Sequence, residues 1–157
     1  MSEWSAPAPW ASFPSRDRFL RIVRGPDWER FTSDAQTALV AQQFTVTPDS
    51  DRMGARLDGP ELTRVNSDDL LSEAVAPGTL QVPPNGKPIL LLGDCQTIGG
   101  YPKIAHVITV DLPAAAQLWP GDRAHFHEVS LAEAQQLLLE REDDFARFRL
   151  GLELRGS

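Results

Sequence analysis

At 157 residues the chain has the length of one domain. Its composition, 41% hydrophobic and 24% charged, is that of an ordinary folded protein with enough apolar residues for a core. A net charge of −7 and a pI near 4.9 argue against nucleic acid as a partner, because phosphate binding needs a basic surface.

The single cysteine, Cys95, excludes an internal disulfide framework and fits a reducing compartment. No apolar run approaches the roughly 20 residues of a membrane span. Residues 1–16 lack the basic start and apolar stretch of a secretory signal. The expectation is a cytoplasmic protein that does not enter the membrane.

Residues 1–16 carry Pro7, Pro9 and Pro14 with Trp4 and Trp10, and read as a Pro-rich tail or linker, packed on its own domain or docking elsewhere. Residues 17–150 form the expected domain, and residues 151–157 a second tail. Within the domain, Arg18–Arg24 reads as a strand ended by Gly25-Pro26. Asp27 is placed to cap a short helical turn that carries Trp28 and Phe31 inward. Ser33–Gln42 reads as a short helix with Ala35, Leu39 and Val40 near one face. Phe44–Thr47 and Met53–Leu57 are strands separated by a Pro-Asp-Ser-Asp turn.

Residues 61–75 are polar and irregular. Thr79–Val82 and Pro88–Leu92 are strands joined by the turn Pro83-Pro84-Asn85-Gly86. Ile104–Val110 is a β-branched strand, Asp111–Leu118 a short helix, and Arg123–Val129 a last strand. Ser130 and Glu133 have capping-box spacing before a helix. Its stripe of Leu131, Ala134, Leu137, Leu138, Phe145 and Phe148 reads as core-facing, with residues 140–144 on the solvated side. About seven short strands with Gly/Pro turns and few helices imply a mainly β fold, a closed or nearly closed barrel.

Two clusters carry candidate chemistry. Arg52 and Arg56 lie four apart; on one strand they share a face and can grip a carboxylate or phosphate, with Asp51 to orient one of them. The bland alternative is an exposed strand with weak surface ion pairs. The second cluster is Asp94, Gln96, Thr97, Gly99, Gly100, Tyr101 and Lys103, after the apolar run Ile89–Leu92. A Gly-Gly pair can turn successive N–H groups toward an anion or oxyanion. Lys103 can neutralise a carboxylate, and Asp94 can act as base or hold an amide N–H. Here the alternative is a plain turn with a solvated lysine and a capping aspartate.

Other motifs are weaker. Asn85-Gly86-Lys87 is not a phosphate loop, since Gln stands at position 81 and Pro at 88. His125 and His127 share a strand face but have no third metal ligand by motif. His106 reads as a satisfied core residue, and Cys95 as an inert thiol with no histidine in its motif.

Three blocks together resemble a known family: residues 46–60 (VTPDSDRMGARLDGP), 71–88 (LSEAVAPGTLQVPPNGKP) and 93–105 (GDCQTIGGYPKIA). Asp111-Leu-Pro113, Pro120-Gly-Asp122 and the stretch 126–132 follow in order. Over roughly residues 18–135 the chain is similar to the C-terminal half of the biotin-dependent carboxyltransferase subdomain A/B family. Its members go by the names allophanate hydrolase subunit two, the C subunit of 5-oxoprolinase, or antagonist of the sporulation-kinase inhibitor.

The resemblance implies a cyclophilin-like β-barrel that is one half of a two-unit module, with the N-terminal half missing here. It implies ATP-dependent opening of a cyclic amide such as 5-oxoproline, or carboxyl transfer from carboxybiotin to urea or another amide. A non-catalytic module that binds a kinase inhibitor is the third reading. ATP or carboxybiotin would come through partner subunits; the absence of a biotin-attachment Met-Lys pair favours 5-oxoprolinase. By resemblance Asp94 and Lys103 are the catalytic candidates, with Arg52, Arg56, Gln96, Thr97, Gly99, Gly100 and Tyr101 in the substrate pocket. No metal site is implied. Cys95 departs from the Arg or small residue expected between the Asp and the Gln-Thr.

Overall fold

The computed structural model describes residues 16–156, with side chains to residue 154. The expected N-terminal tail therefore lies outside the described residues, Arg16 excepted. Among the described residues nine strands form: β1 (Asp17–Arg24), β2 (Gln43–Val46), β3 (Gly54–Asp58), β4 (Glu73–Ala74), β5 (Thr79–Gln81), β6 (Ile89–Leu91), β7 (Ile98–Gly99), β8 (Lys103–Val107) and β9 (Arg123–Glu128). Seven close into a barrel in the order β1-β8-β5-β6-β3-β2-β9, while β4 and β7 pair as a separate two-stranded sheet. Pairing is antiparallel except where β1 meets β9, and that contact closes the ring. The expected mainly β barrel is the observed fold.

Alternation explains why these segments close. Leu20 and Ile22 on β1, Phe44 and Val46 on β2, Ala55 and Leu57 on β3, and Ala124 and Phe126 on β9 are buried, with more exposed residues between them. Phe44 and Phe126 meet inside with ring centroids 5.8 Å apart. Helix α1 (Ser33–Ala41) buries Ala35 and Leu39 against this core. Thr32 caps it, its Oγ1 accepting the Ala35 N–H at 3.2 Å. Val40, expected on the inner face, is exposed.

The strand expected over 104–110 stops at Val107. The Ile108 N–H turns to the Arg21 carbonyl at 3.0 Å, and Thr109–Asp111 coils into a 3-10 turn before α2 (Leu112–Ala115). That turn buries Asp111, whose carboxylate accepts the Arg21 backbone N–H and both guanidinium bonds at 2.6–2.9 Å. The lock fixes β1 to the connection after β8.

Helix α3 (Leu131–Gly156) begins as expected, with Ser130 Oγ accepting the Glu133 N–H at 3.1 Å. It then departs from expectation twice. It runs past residue 150, so the second tail is helical through Gly156. Of the stripe, Ala134, Leu137, Leu138 and Phe148 are half-buried and Leu131 and Phe145 exposed; none joins the core cluster, so the stripe lies against the body without entering the core. The barrel's interior is already filled by strand residues, and the helix meets the body through the 3-10 turn at 109–111. Among the described residues no helix is long and apolar enough to cross a membrane.

Candidate functional site

Strands β5 and β8 lie side by side with Thr79 opposite His106, Leu80 opposite Ala105 and Gln81 opposite Lys103. An irregularity between Leu80 and Gln81 keeps Lys103 in line despite the uneven count. Directly opposed residues share a face. Leu80 and Ala105, both fully buried, point into the barrel. Thr79, Gln81, Lys103 and His106 therefore line its outer face. An outer face normally meets water, yet Thr79, Gln81 and Lys103 are buried.

The small sheet of β4 and β7 provides the cover. Glu73 pairs with Gly99 and Ala74 with Ile98, and the Val75 N–H reaches the Thr97 carbonyl at 3.0 Å. Gly99 lies directly on Gln81: a Cβ there would stand 3.1 Å from Gln81 Oε1 and 3.3 Å from Val75 Cγ1. Neither Gly99 nor Gly100 has a positive φ. The pair thus does not form the anion-binding turn its composition suggests; Gly99 serves close approach.

Lys103 is the centre of the cluster. Its Nζ lies 3.0 Å from Glu73 Oε2 and 3.9 Å from Asp27 Oδ2. Asp27 does not cap the turn at Trp28–Arg30 through its side chain. Its Oδ2 accepts the Lys103 backbone N–H at 2.8 Å, and its Oδ1 accepts Arg30 Nε at 3.1 Å. Gly25 brings this loop onto β8, donating to the Ile104 carbonyl at 2.8 Å. Beside Lys103, Gln81 Oε1 is buried without a donor among the described residues.

His106 is half-buried and its Nδ1 lies 3.2 Å from Thr79 Oγ1. That hydroxyl accepts the Ala76 N–H at 3.4 Å and has its own proton left for Nδ1. Burial first, and the Lys103 charge second, push the His106 pKa below its ordinary value. The strip therefore holds one cation, one neutral imidazole and one amide carbonyl without a donor among the described residues.

The other candidates lie elsewhere on the surface. Arg52 and Asp94 approach at 3.6 Å, with side chains 93% and 62% exposed. Arg52 precedes β3, so the strand-face argument linking it to Arg56 fails; Arg56 is exposed on β3. Asp51, expected to orient an arginine, instead accepts the Met53 and Gly54 N–H groups and closes its own loop. Gln96, Thr97, Gly100 and Tyr101 are exposed. Lys103 and Gly99 thus belong to the covered strip, whereas Arg52 and Asp94 pair in solvent. Two cavities, of about 290 and 340 Å³, open elsewhere and are lined by none of these residues.

Asp27, Glu73 and Gln81 join the site without having been candidates from the sequence. The alternation of Thr79 and Gln81 with buried Leu80 and Val82 is a signal for an outer polar face, but its partners come from strands paired across long chain separations. His125 is held by Asp17 at 3.2 Å and stacks on Phe19 at 4.8 Å. Arg123 first, then His125, draw the Asp17 carboxyl down to about 2. Among the described residues no three His, Cys, Asp or Glu are grouped to hold a metal. Burial raises the pKa of the half-buried Cys95 thiol.

Residues 2–128 match the family described as carboxyltransferase domain, subdomain A and B. The C subunit of 5-oxoprolinase from Haemophilus influenzae is 41% identical over 132 residues, which is 84% of this chain and 42% of that protein. Its Escherichia coli namesake is 42% identical over 115 residues, 73% of this chain and 37% of that protein. The chain thus spans about two-fifths of the length of these curated relatives. The Kluyveromyces lactis urea carboxylase superposes with a TM-score of 0.83 over 91% of this chain and 14% of that one; at 23% identity this likeness concerns the fold alone.

Proposed function

The chain belongs to the carboxyltransferase subdomain A and B family, and we propose that within it the chain is the C-terminal half-unit of a 5-oxoprolinase C subunit. It acts with an N-terminal half-unit and partner subunits in the ATP-dependent opening of a cyclic amide. The observation that carries this is the 41% identity to a 5-oxoprolinase C subunit across most of the chain. The fold likeness to urea carboxylase leaves the choice of reaction untouched.

The covered strip supplies a chemical rationale. 5-Oxoproline presents a carboxylate beside a lactam N–H. Lys103 Nζ is a cation whose carboxylate partner, Glu73, stands on a separate two-residue strand and is 63% exposed. Gln81 Oε1 is a buried acceptor without a donor among the described residues. In this proposal the substrate carboxylate replaces Glu73 on Lys103 and the lactam N–H bonds Gln81, once β4 and β7 move aside. The charge-assisted bond to Lys103 contributes about 1.5–3 kcal/mol and the neutral bond to Gln81 about 0.5–1.5 kcal/mol. The exposed Arg52–Asp94 pair and the loop carrying Gln96, Thr97 and Tyr101 are then the surface over which the other half-unit and the partner subunits close. Phosphorylation of the lactam oxygen draws on ATP held by a partner.

The test is coexpression with the remaining half-unit and the partner subunits, then measurement of ATP hydrolysis stimulated by 5-oxoproline. Stimulated turnover is expected in the complex, and Lys103→Met and Gln81→Met should remove it while the complex still assembles. An assembled complex without stimulation, or with full turnover in both variants, overturns the proposal.

A further inference from the structure

A separate cavity of about 340 Å³ opens where the start of β5 and the end of β6 meet α2 and the flank of α3. Pro77, Leu91, Leu92, Leu112 and Ala115 are among the residues of its wall. Its lining side chains are hydrocarbon except for Thr109 and one charged group, Arg141 from α3.

Arg141 is poorly satisfied for a guanidinium. Its Nε is buried and finds no hydrogen-bond partner among the described residues. Nη1 makes one long bond, 3.4 Å to the Val110 carbonyl, and the charge centre lies 5.8 Å from the Phe145 ring. A guanidinium carries five N–H donors and a permanent charge. The head group stands at a wall that is otherwise mostly apolar, where its charge is less screened than in open water, so an anion in the cavity gains more than it would at an exposed arginine.

The wall beside it is held by backbone. Gly78 donates to the Leu91 carbonyl and accepts the Val107 N–H, each at 2.8 Å. Its φ is +93°, and a Cβ at Gly78 would lie 2.6 Å from Leu112 Cδ2. A volume of 340 Å³ lies within the range of small-ligand pockets, roughly 300–1,000 Å³.

We propose that this cavity binds a small monocarboxylate with a compact hydrocarbon body. The carboxylate pairs with the Arg141 head group where it lines the cavity, and the body packs against Leu91, Leu112 and Ala115. Inorganic phosphate has no body to fill the apolar wall, and a neutral hydrocarbon brings no counter-charge to the guanidinium. The site shares no residue with the Lys103 strip, and Arg141 lies outside residues 2–128, the span matched to the family. It therefore stands or falls independently of the proposed reaction.

Calorimetric titration of the full chain with octanoate and 3-phenylpropionate tests this, with 1-octanol and 3-phenylpropanol as neutral controls. The carboxylates are expected to bind saturably and at least about ten-fold more tightly than the alcohols, the worth of one charge-assisted bond. Arg141→Gln should erase that preference. Ala116→Trp, at an exposed wall position where folding is not at stake, should weaken both carboxylates. Absence of saturable binding at millimolar ligand, equal affinity for acids and alcohols, or an unchanged Arg141→Gln variant overturns the proposal.

Discussion

Replacing Lys103 by methionine keeps most of the stem and removes the ammonium. In the folded protein that ammonium lies 3.0 Å from Glu73 and 3.9 Å from Asp27, with its side chain 7% exposed. At an effective dielectric of about 20 these separations correspond to roughly 5 and 4 kcal/mol of attraction. Most of that is cancelled by the desolvation of the buried cation. The Glu73 side chain is 63% exposed, so screening reduces its share to about 1 kcal/mol or less. Asp27 is enclosed but keeps the Lys103 N–H and Arg30, which limits its loss to about 1 kcal/mol. The expected sum is about 2 kcal/mol, or a fall in Tm of about 4–8 °C for a chain this size. Thermal and urea unfolding at neutral pH measure it, and a double-mutant cycle with Glu73→Gln should give a coupling near 0.5–1 kcal/mol. A Lys103→Met protein with a Tm within about 1 °C of the parent would refute the reasoning, because the pair would then not offset the burial it requires.

Gly25→Ala places a Cβ 2.4 Å from the Lys103 carbonyl oxygen and 2.9 Å from the Ala105 nitrogen, both backbone, so β8 must shift; a loss of about 3 kcal/mol is expected in urea unfolding, and an unchanged midpoint would contradict the packing. Gly99→Ala meets the flexible end of Gln81 at 3.1 Å and should cost about 1 kcal/mol, confined to β4 and β7. Hydrogen exchange at the Val75 amide should then quicken about five-fold while the barrel amides hold, and uniform exchange would count against a separate cover. His106 has a native pKa below its unfolded value of about 6.5, so as the pH falls through that value the unfolded chain takes up the proton first and stability declines. His106→Gln should flatten that part of the stability profile, and an NMR titration giving an ordinary histidine pKa would exclude the effect.

Much of the barrel is written locally. Phe44 and Val46, or Leu80 and Val82, alternate with residues of the opposite face, and a period of two in a segment bounded by Gly and Pro admits little but a strand with one face inward. Gly86, with φ +75° and its N–H on the Pro83 carbonyl, closes the turn that the Pro-Pro-Asn-Gly run announces. The Ser130 cap starts α3 where its hydroxyl lies three residues before Glu133. Each of these signals is carried by neighbours in the chain.

Other features have no local signature. β4 and β7 are two residues each, too short for periodicity, and exist because they pair across the outer face of β5 and β8. The apolar stripe of α3 repeats correctly, yet a repeat specifies a face and not what that face meets; here the barrel had no interior left to share. Arg52 and Asp94, adjacent to promising motifs, sit in water, while Lys103 draws its partners from positions 27, 73 and 81. The chain's own order therefore decides which segments become strands and where they turn. Ring closure decides which polar side chains are taken out of water together, because burial and electrostatic coupling depend on distance in space and not along the backbone.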